Sequence, residues 1–150
     1  MSHTKVRVRK LNARATVPAY QSAGAAGLDL CACLDQDQSK AIEPGQIVMI
    51  PTGVALAIPA GFEGQVRPRS GLASKHGVTL PNAPGTIDSD YRGELIVPLI
   101  NLGRTAFVVT HGMRVAQLVI APVVRADLVE ADELDETPRG QGGFGSTGSM

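Results

Sequence analysis

Hydrophobic and polar residues alternate over short stretches along most of the chain, and glycine or proline interrupts the alternation at close intervals. Val6-Arg7-Val8-Arg9 sets two valines against two arginines, which predicts a strand with Val6 and Val8 toward a core and the arginines in water. Leu28, Leu30, Ala32 and Leu34 alternate with Asp29, Cys31 and Cys33 in the same way. Further strands are predicted at 46–50, 54–58, 64–69, 78–80, 94–102, 106–110, 114–121 and 123–129. Between them stand turn signals: Pro44-Gly45, Pro51-Thr52-Gly53, Pro59-Ala60-Gly61, Pro84-Gly85 and His111-Gly112. Only Ser70–His76 reads as helical, a short turn with Ser70 as its N-cap. Many short strands at this spacing predict an all-β domain, built as a sandwich, jelly roll or barrel.

The pattern changes near the end. Residues 129–136 are acidic, and 137–150 are too rich in glycine to hold a strand or helix against the loss of backbone entropy. The expected organisation is therefore one β domain over 1–136 and a flexible arm over 137–150.

Composition sharpens this picture. The 150 residues suit one self-sufficient core, and 43% hydrophobic against 19% charged residues marks a globular chain. Aromatics are scarce: Tyr20, Phe62, Tyr91, Phe107 and Phe144. The core must be aliphatic, and an aromatic outside a core-like pattern becomes informative.

The formal net charge of +0 provides no global field for a nucleic-acid backbone, so an anionic ligand has to meet a local cluster. Residues 1–10 lack the apolar run of a signal peptide. The uncharged stretch 44–62 is cut by Pro51, Thr52, Gly53 and Pro59 into strand-sized pieces, so no membrane partner is expected. Cys31 and Cys33 are too close for a structural zinc half-site, and there is no second pair. They read as ordinary thiols, nothing requires an oxidising compartment, and a cytoplasmic location is expected.

Three segments carry candidate chemistry. Gly140, Gly142 and Gly145 fit the spacing of a dinucleotide fingerprint, but that motif needs a preceding strand and a following helix, and the few residues after Gly145 are not expected to form one. Arg139, Phe144, Ser146 and Thr147 in a glycine-rich arm instead suit a flap: a cation and hydroxyls for phosphate, an aromatic ring for a base. Arg67-Pro68-Arg69-Ser70-Gly71-Leu72-Ala73 ends a strand in two arginines and starts a helix, a place where free N–H groups favour phosphate. Residues 82–94 read as a hairpin turning near Pro84-Gly85, with Asn82 able to both donate and accept toward a base edge. In that segment Asp88 is a candidate general base on water. Taken singly, each has a plainer alternative: an unstructured tail, a capped turn, a polar hairpin with solvated acids. Asp29, Arg114 and Gln117 interrupt otherwise apolar strands, and an Asp29–Arg114 pair would satisfy two of them.

Together these pieces resemble the trimeric dUTPase family, whose five motifs appear in order. They are Ala26-Gly27-Leu28-Asp29-Leu30; Pro68-Arg69-Ser70-Gly71-Leu72-Ala73; Gly85-Thr86-Ile87-Asp88-Ser89-Asp90-Tyr91-Arg92-Gly93-Glu94; Gly112-Met113-Arg114-Val115-Ala116-Gln117; and the run 139–148. Any one motif is weak, whereas five in order are specific.

The resemblance implies a jelly-roll-like β-barrel, a homotrimer with shared active sites, and hydrolysis of dUTP to dUMP and pyrophosphate. In cells that limits uracil incorporation into DNA and supplies dUMP for thymidylate synthesis. Asp88 would orient and deprotonate the water that attacks the α-phosphorus, and Asn82 with the nearby backbone of Thr86 and Ile87 would read uracil. Tyr91 would pack on the deoxyribose, Ile96 would line the pocket, and Arg69, Ser70 and Gly71 would hold phosphates. Gln117 would contact phosphate or ordered water, with Asp29 and Arg114 in support. Phe144 would stack on uracil while Arg139, Gly145, Ser146 and Thr147 close over the γ-phosphate. Mg²⁺ would be held by the substrate's phosphates and by water, with no direct protein ligand. Two other readings remain in view: a dCTP deaminase of the same fold, for which Glu94 is the nearby acid, and a nucleotide-gated binding protein without turnover.

Overall fold

The computed structural model describes residues 4–143, and within them the chain is mostly β with one short helix. The elements are β1 (Arg7–Lys10), β2 (Leu28–Cys31), β3 (Ser39–Ile42), β4 (Ile47–Ala57), β5 (Phe62–Arg67), α1 (Ser70–His76), β6 (Val78–Thr79), β7 (Gly85–Ile87), β8 (Glu94–Asn101), β9 (Phe107–Thr110) and β10 (Arg114–Pro122). Two four-stranded sheets run in the orders β1-β4-β8-β6 and β2-β10-β5-β7, and β3 pairs with β9 in a separate ribbon. Every ladder is antiparallel. These pairings trace three sheets and no closed ring among the described residues.

The inward faces meet in an aliphatic core, as the shortage of aromatics requires. Leu30, Ile42, Ile50, Val54, Val97, Leu99 and Val109 are fully buried, with Phe62 and Phe107 packed at its margin. Each such side chain contributes about 1.5–3 kcal/mol by leaving water. The one wholly buried amide among the described residues, Asn101, has its groups engaged: Nδ2 donates to the Ile42 and Thr105 carbonyls, both at 2.8 Å, and Oδ1 accepts from Gly103 N–H at 2.8 Å.

Several sequence expectations give way. Pro51-Thr52-Gly53 does not separate two strands but forms a bulge inside β4, where the register with β8 shifts between Pro51 and Ala55. Gly53 has φ +68 there, and a Cβ on it would lie 2.8 Å from Ala15 Cβ and 2.9 Å from Cys33 Sγ. Side chains replace the missing ladder bonds: Thr52 Oγ1 donates to the Leu95 carbonyl at 2.6 Å, and Glu94 Oε1 accepts from Gly53 N–H at 2.7 Å. β3 was not expected. The 123–129 strand does not form; Val124 and Leu128 are 93% and 96% exposed, because the single chain offers no strand beside them. Val6 packs at the core margin, but Val8 is exposed on the edge strand β1. Arg69, not Ser70, is the helix N-cap, with extended backbone and no side-chain capping bond.

Candidate active site

β10 is the strand from which the site is built. Gln117 stands opposite Asp29 of β2 on one side and Arg67 of β5 on the other, so one rung of the sheet carries three polar residues on one face. Asp29 then gathers two cations. Its Oδ1 lies 3.3 Å from Arg69 Nε, and its Oδ2 accepts from Arg114 Nη1 at 3.0 Å, the pair anticipated from the sequence. Arg69 Nη1 also donates to the Arg114 carbonyl at 3.2 Å. Gln117 Nε2 donates to the Pro68 carbonyl at 3.0 Å. Arg67, by contrast, is tied along its own strand to Gln65.

These groups line an open cleft of about 340 Å³ formed by Gln21, Ala25, Ala26, Gly27, Asp29, Arg69, Ser70, Gly71, Arg114 and Gln117. Two guanidiniums against one carboxylate leave the cleft a net positive charge, as an anion requires. A larger depression of about 540 Å³, lined by residues such as Val6, Tyr20, Phe62 and Ile120, carries no charged side chain and is unsuited to phosphate.

Residues 82–94 do not form the expected hairpin. β7 pairs with β5 in one sheet and β8 pairs with β4 in the other, so this segment crosses between sheets. Gly85 begins a strand and is not the tip of a turn; a Cβ on it would lie 3.2 Å from Asn82 Nδ2, so the Asn82 amide rests on bare backbone. The turn falls later, where Tyr91 N–H donates to the Asp88 carbonyl at 3.1 Å. Arg92 Nη1 ties it by donating to the carbonyls of Ser89 and Tyr91 at 2.6 and 2.8 Å, and Tyr91 Oη donates to the Glu94 carbonyl at 3.0 Å. Asn82, Thr86, Asp88 and Tyr91 are exposed, and Ile87 is half-buried. Ile96 lies on the outer face of its sheet, opposite Pro51. The Glu94 carboxylate is committed to the β4 bulge.

The two groups do not merge within one chain. The register Gly64↔Ile87 and Val66↔Gly85 puts Asp88 beside Glu63, at the far end of β5 from Pro68 and Arg69. Four residue steps along the strand lead from Glu63 to Arg67, roughly 13 Å. No residue of 82–94 lines the cationic cleft. Arg139 is exposed and its Nε donates to the Gly142 carbonyl at 2.8 Å. Phe144, Gly145, Ser146 and Thr147 lie outside the described residues.

No three His, Cys, Asp or Glu side chains gather among the described residues as a metal cage. Burial pushes the thiols of Cys31 and Cys33 above their ordinary range, with Asp29 adding to the effect at Cys31. They are poor nucleophiles at neutral pH. Sequence reasoning assigned no role to Gly27, although a Cβ there would lie 2.5 Å from Gln117 Oε1. Its signals were a glycine next to an apolar strand, which many turns also show, and its place in the motif Ala26-Gly27-Leu28-Asp29-Leu30.

The dUTPase family model matches residues 13–148. A deoxyuridine 5'-triphosphate nucleotidohydrolase of Desulfotalea psychrophila is 64% identical over 133 residues, covering 89% of this chain and 87% of that protein. Among solved structures, the dUTPase of Staphylococcus bacteriophage 80alpha with dUPNHPP superposes with TM-score 0.86 at 27% identity, covering 96% of this chain and 98% of the other. A mutant dUTPase from phage phi11 of S. aureus, described with a structural Mg(II) ion, gives TM-score 0.77 at 25% identity and covers 86% and 97% of the two chains.

Proposed function

Since the chain belongs to the dUTPase family, we propose that it hydrolyses dUTP to dUMP and pyrophosphate by attack of water on the α-phosphorus. The observation that carries this reading is the cleft in which Asp29 holds Arg69 and Arg114 beside Ser70 and Gly71. It is cationic, open and sized for phosphates, while the base-reading and water-activating groups stand apart from it on the 82–94 segment.

That separation supports a shared site. In the proposed homotrimer, Asn82, Thr86, Ile87, Asp88 and Tyr91 of one copy face the cleft of another. The outer face of the β4–β8 sheet supplies a contact surface: Ile47, Met49 and Ile96 are exposed and apolar, next to Pro51 and Pro98. Buried in an assembly, Ile96 would sit at the edge of such a shared pocket. The domain proper would span 1–136 as a jelly-roll-like barrel, and 137–150 would act as an arm. The 123–136 stretch is exposed and without strand or helix, and at roughly 3.3 Å per extended residue it is long enough to reach a neighbour. There Arg139, Phe144, Gly145, Ser146 and Thr147 would cover base and γ-phosphate.

Asn82 and the bare backbone at Gly85 would read uracil's acceptor–donor–acceptor edge, and cytosine would leave a buried polar group unpaired. Tyr91 would shape the sugar pocket. Asp88, exposed on its turn, would take the water's proton, while Arg69, Ser70 and Gly71 stabilise charge on the phosphates. Mg²⁺ fits this scheme as a companion of the triphosphate, because Asp29 is already engaged by two arginines; when bound it would neutralise phosphate charge and fix the chain's geometry. The engagement of Glu94 by Gly53 N–H speaks against the deaminase alternative. No helix among the described residues is long and apolar enough to cross a membrane, and the expected setting is the cytoplasm.

The test is to incubate the pure protein with dUTP or dCTP and Mg²⁺ and identify the products. Pyrophosphate and dUMP from dUTP, with dCTP unchanged, are expected; dUTP or dUMP arising from dCTP would establish a deaminase, and binding without turnover a regulatory protein.

A further inference from the structure

Glu94 closes the segment that carries Asp88 and Tyr91, yet its carboxylate has no part in the reaction described above. It reaches across to β4 instead. The β4–β8 ladder pairs Pro51 with Ile96 and Ala55 with Glu94, and between these pairs Thr52, Gly53 and Val54 face Leu95 alone. A regular ladder cannot continue over such a gap. Two side-chain bonds span it. Thr52 Oγ1, fully buried, donates to the Leu95 carbonyl at 2.6 Å, and Glu94 Oε1 accepts from Gly53 N–H at 2.7 Å. A carboxylate acceptor makes the second bond stronger than an ordinary ladder bond.

Tyr91 hangs from the same residue. Its Oη donates to the Glu94 carbonyl at 3.0 Å, so the ring folds back over Gly93 to the first residue of β8. Tyr91 is exposed, so packing alone does not fix its ring. The bond to the Glu94 carbonyl does, and that carbonyl is only as steady as the residue that bears it.

We propose that Glu94 and Thr52 are positioning residues for sugar selectivity: by clasping the start of β8 to the β4 bulge, they hold the carbonyl on which Tyr91 rests. The inference rests on the sugar-pocket role given above to Tyr91. A ring held against the sugar rejects a 2′-hydroxyl by contact, whereas a ring free to yield admits it. Loosening the clasp should therefore raise the use of UTP relative to dUTP. The phosphate cleft is built on the other four-stranded sheet and should be little affected.

The experiment compares the full chain with four variants. Glu94→Ala removes the acceptor, Glu94→Asp draws it back by one methylene, and Glu94→Gln keeps an oxygen that can accept. Thr52→Val keeps the shape and loses the donor. The readouts are kcat/KM for UTP and for dUTP with Mg²⁺, binding of inorganic tripolyphosphate, and amide hydrogen exchange of the 89–95 peptide without ligand. The UTP-to-dUTP ratio should rise about tenfold in Glu94→Ala, Glu94→Asp and Thr52→Val, and stay within about threefold of the parent in Glu94→Gln. Exchange in 89–95 should quicken in the same three variants. Tripolyphosphate affinity should stay within about twofold of the parent throughout. Should Glu94→Ala or Thr52→Val not fold, Glu94→Asp decides. An unchanged ratio in Glu94→Asp, tripolyphosphate binding lost in step with turnover, or a Glu94→Gln variant as unselective as Glu94→Ala would each overturn the proposal. If the parent protein fails to turn over dUTP, the functional reading falls, while exchange in 89–95 still decides whether the clasp exists.

Discussion

The cleft around Asp29 and the loop carrying Asp88 differ in how they are prepared. In the cleft, side chains hold one another: one carboxylate takes two guanidiniums, and an amide takes the Pro68 carbonyl. In the loop, the hydrogen bonds of Tyr91 and Arg92 secure the backbone, and Asp88 stands exposed. The half proposed to bind charge is set without ligand, and the half proposed to read the base and move the proton would await a second surface. Binding of phosphate within the cleft should therefore be a property of one chain, and closure over the γ-phosphate and catalysis properties of the assembly.

The sharpest break in that comparison is Asp88→Asn. Turnover should fall by about a thousandfold with dUPNHPP affinity retained, measured by steady-state kinetics and calorimetry. Near-normal turnover would remove Asp88 from the base role. If the halves belong to different copies, mixing unfolded Asp88→Asn and Arg69→Ala chains and refolding them together should restore activity that neither has alone.

Next is truncation after Pro138. The expected product is a folded trimer by light scattering, with kcat/KM lower by about a hundredfold through loss of positioning. An unfolded product would make the arm structural. Asp29→Ala comes third. It leaves Arg69 and Arg114 side by side without their acid, and KM should rise about tenfold from lost orientation. Thermal stability should drop by no more than about 1 kcal/mol, because both arginines are partly solvated.

The smallest effect is alkaline. Cys31 and Cys33 have folded values raised by burial, so their contribution to stability is complete below the ordinary thiol range of about 8.5 and declines as pH rises through the raised values. Urea midpoints should fall as pH is raised from about 8 to about 10, and the fall should shrink in a Cys33→Ala variant. An identical fall would assign it to other groups.

The sequence showed much of this because strand period and side-chain chemistry coincide in β2 and β10, where isolated polar residues interrupt apolar ones, and because β8 is an apolar run of strand length. The Asp29–Arg114 contact was readable for the same reason: two charges in apolar strands need each other. What escaped reading depended on distant chain. β3 offers only Ala41 and Ile42 as apolar residues and exists through its pairing with β9. The valines of 123–129 look like a strand yet lack a neighbour within the chain. Pro84-Gly85 resembles a hairpin tip, but the packing of Asn82 on Gly85 and the ladder to β5 draw it into a sheet. Pro51-Thr52-Gly53 reads as a break because the bonds that carry the strand through it come from Thr52 and Glu94 side chains.

The distribution of phenol rings has an optical consequence. The chain has no tryptophan, and its tyrosines, Tyr20 and Tyr91, are 53% and 45% exposed. Ultraviolet emission is thus nearly blind to the aliphatic interior and reports two places at the rim. One of them is the ring bonded to the Glu94 carbonyl beside the turn at Asp88. Quenching or enhancement in a simple fluorimeter would follow the arrival of a sugar there, with no dye and no engineered probe.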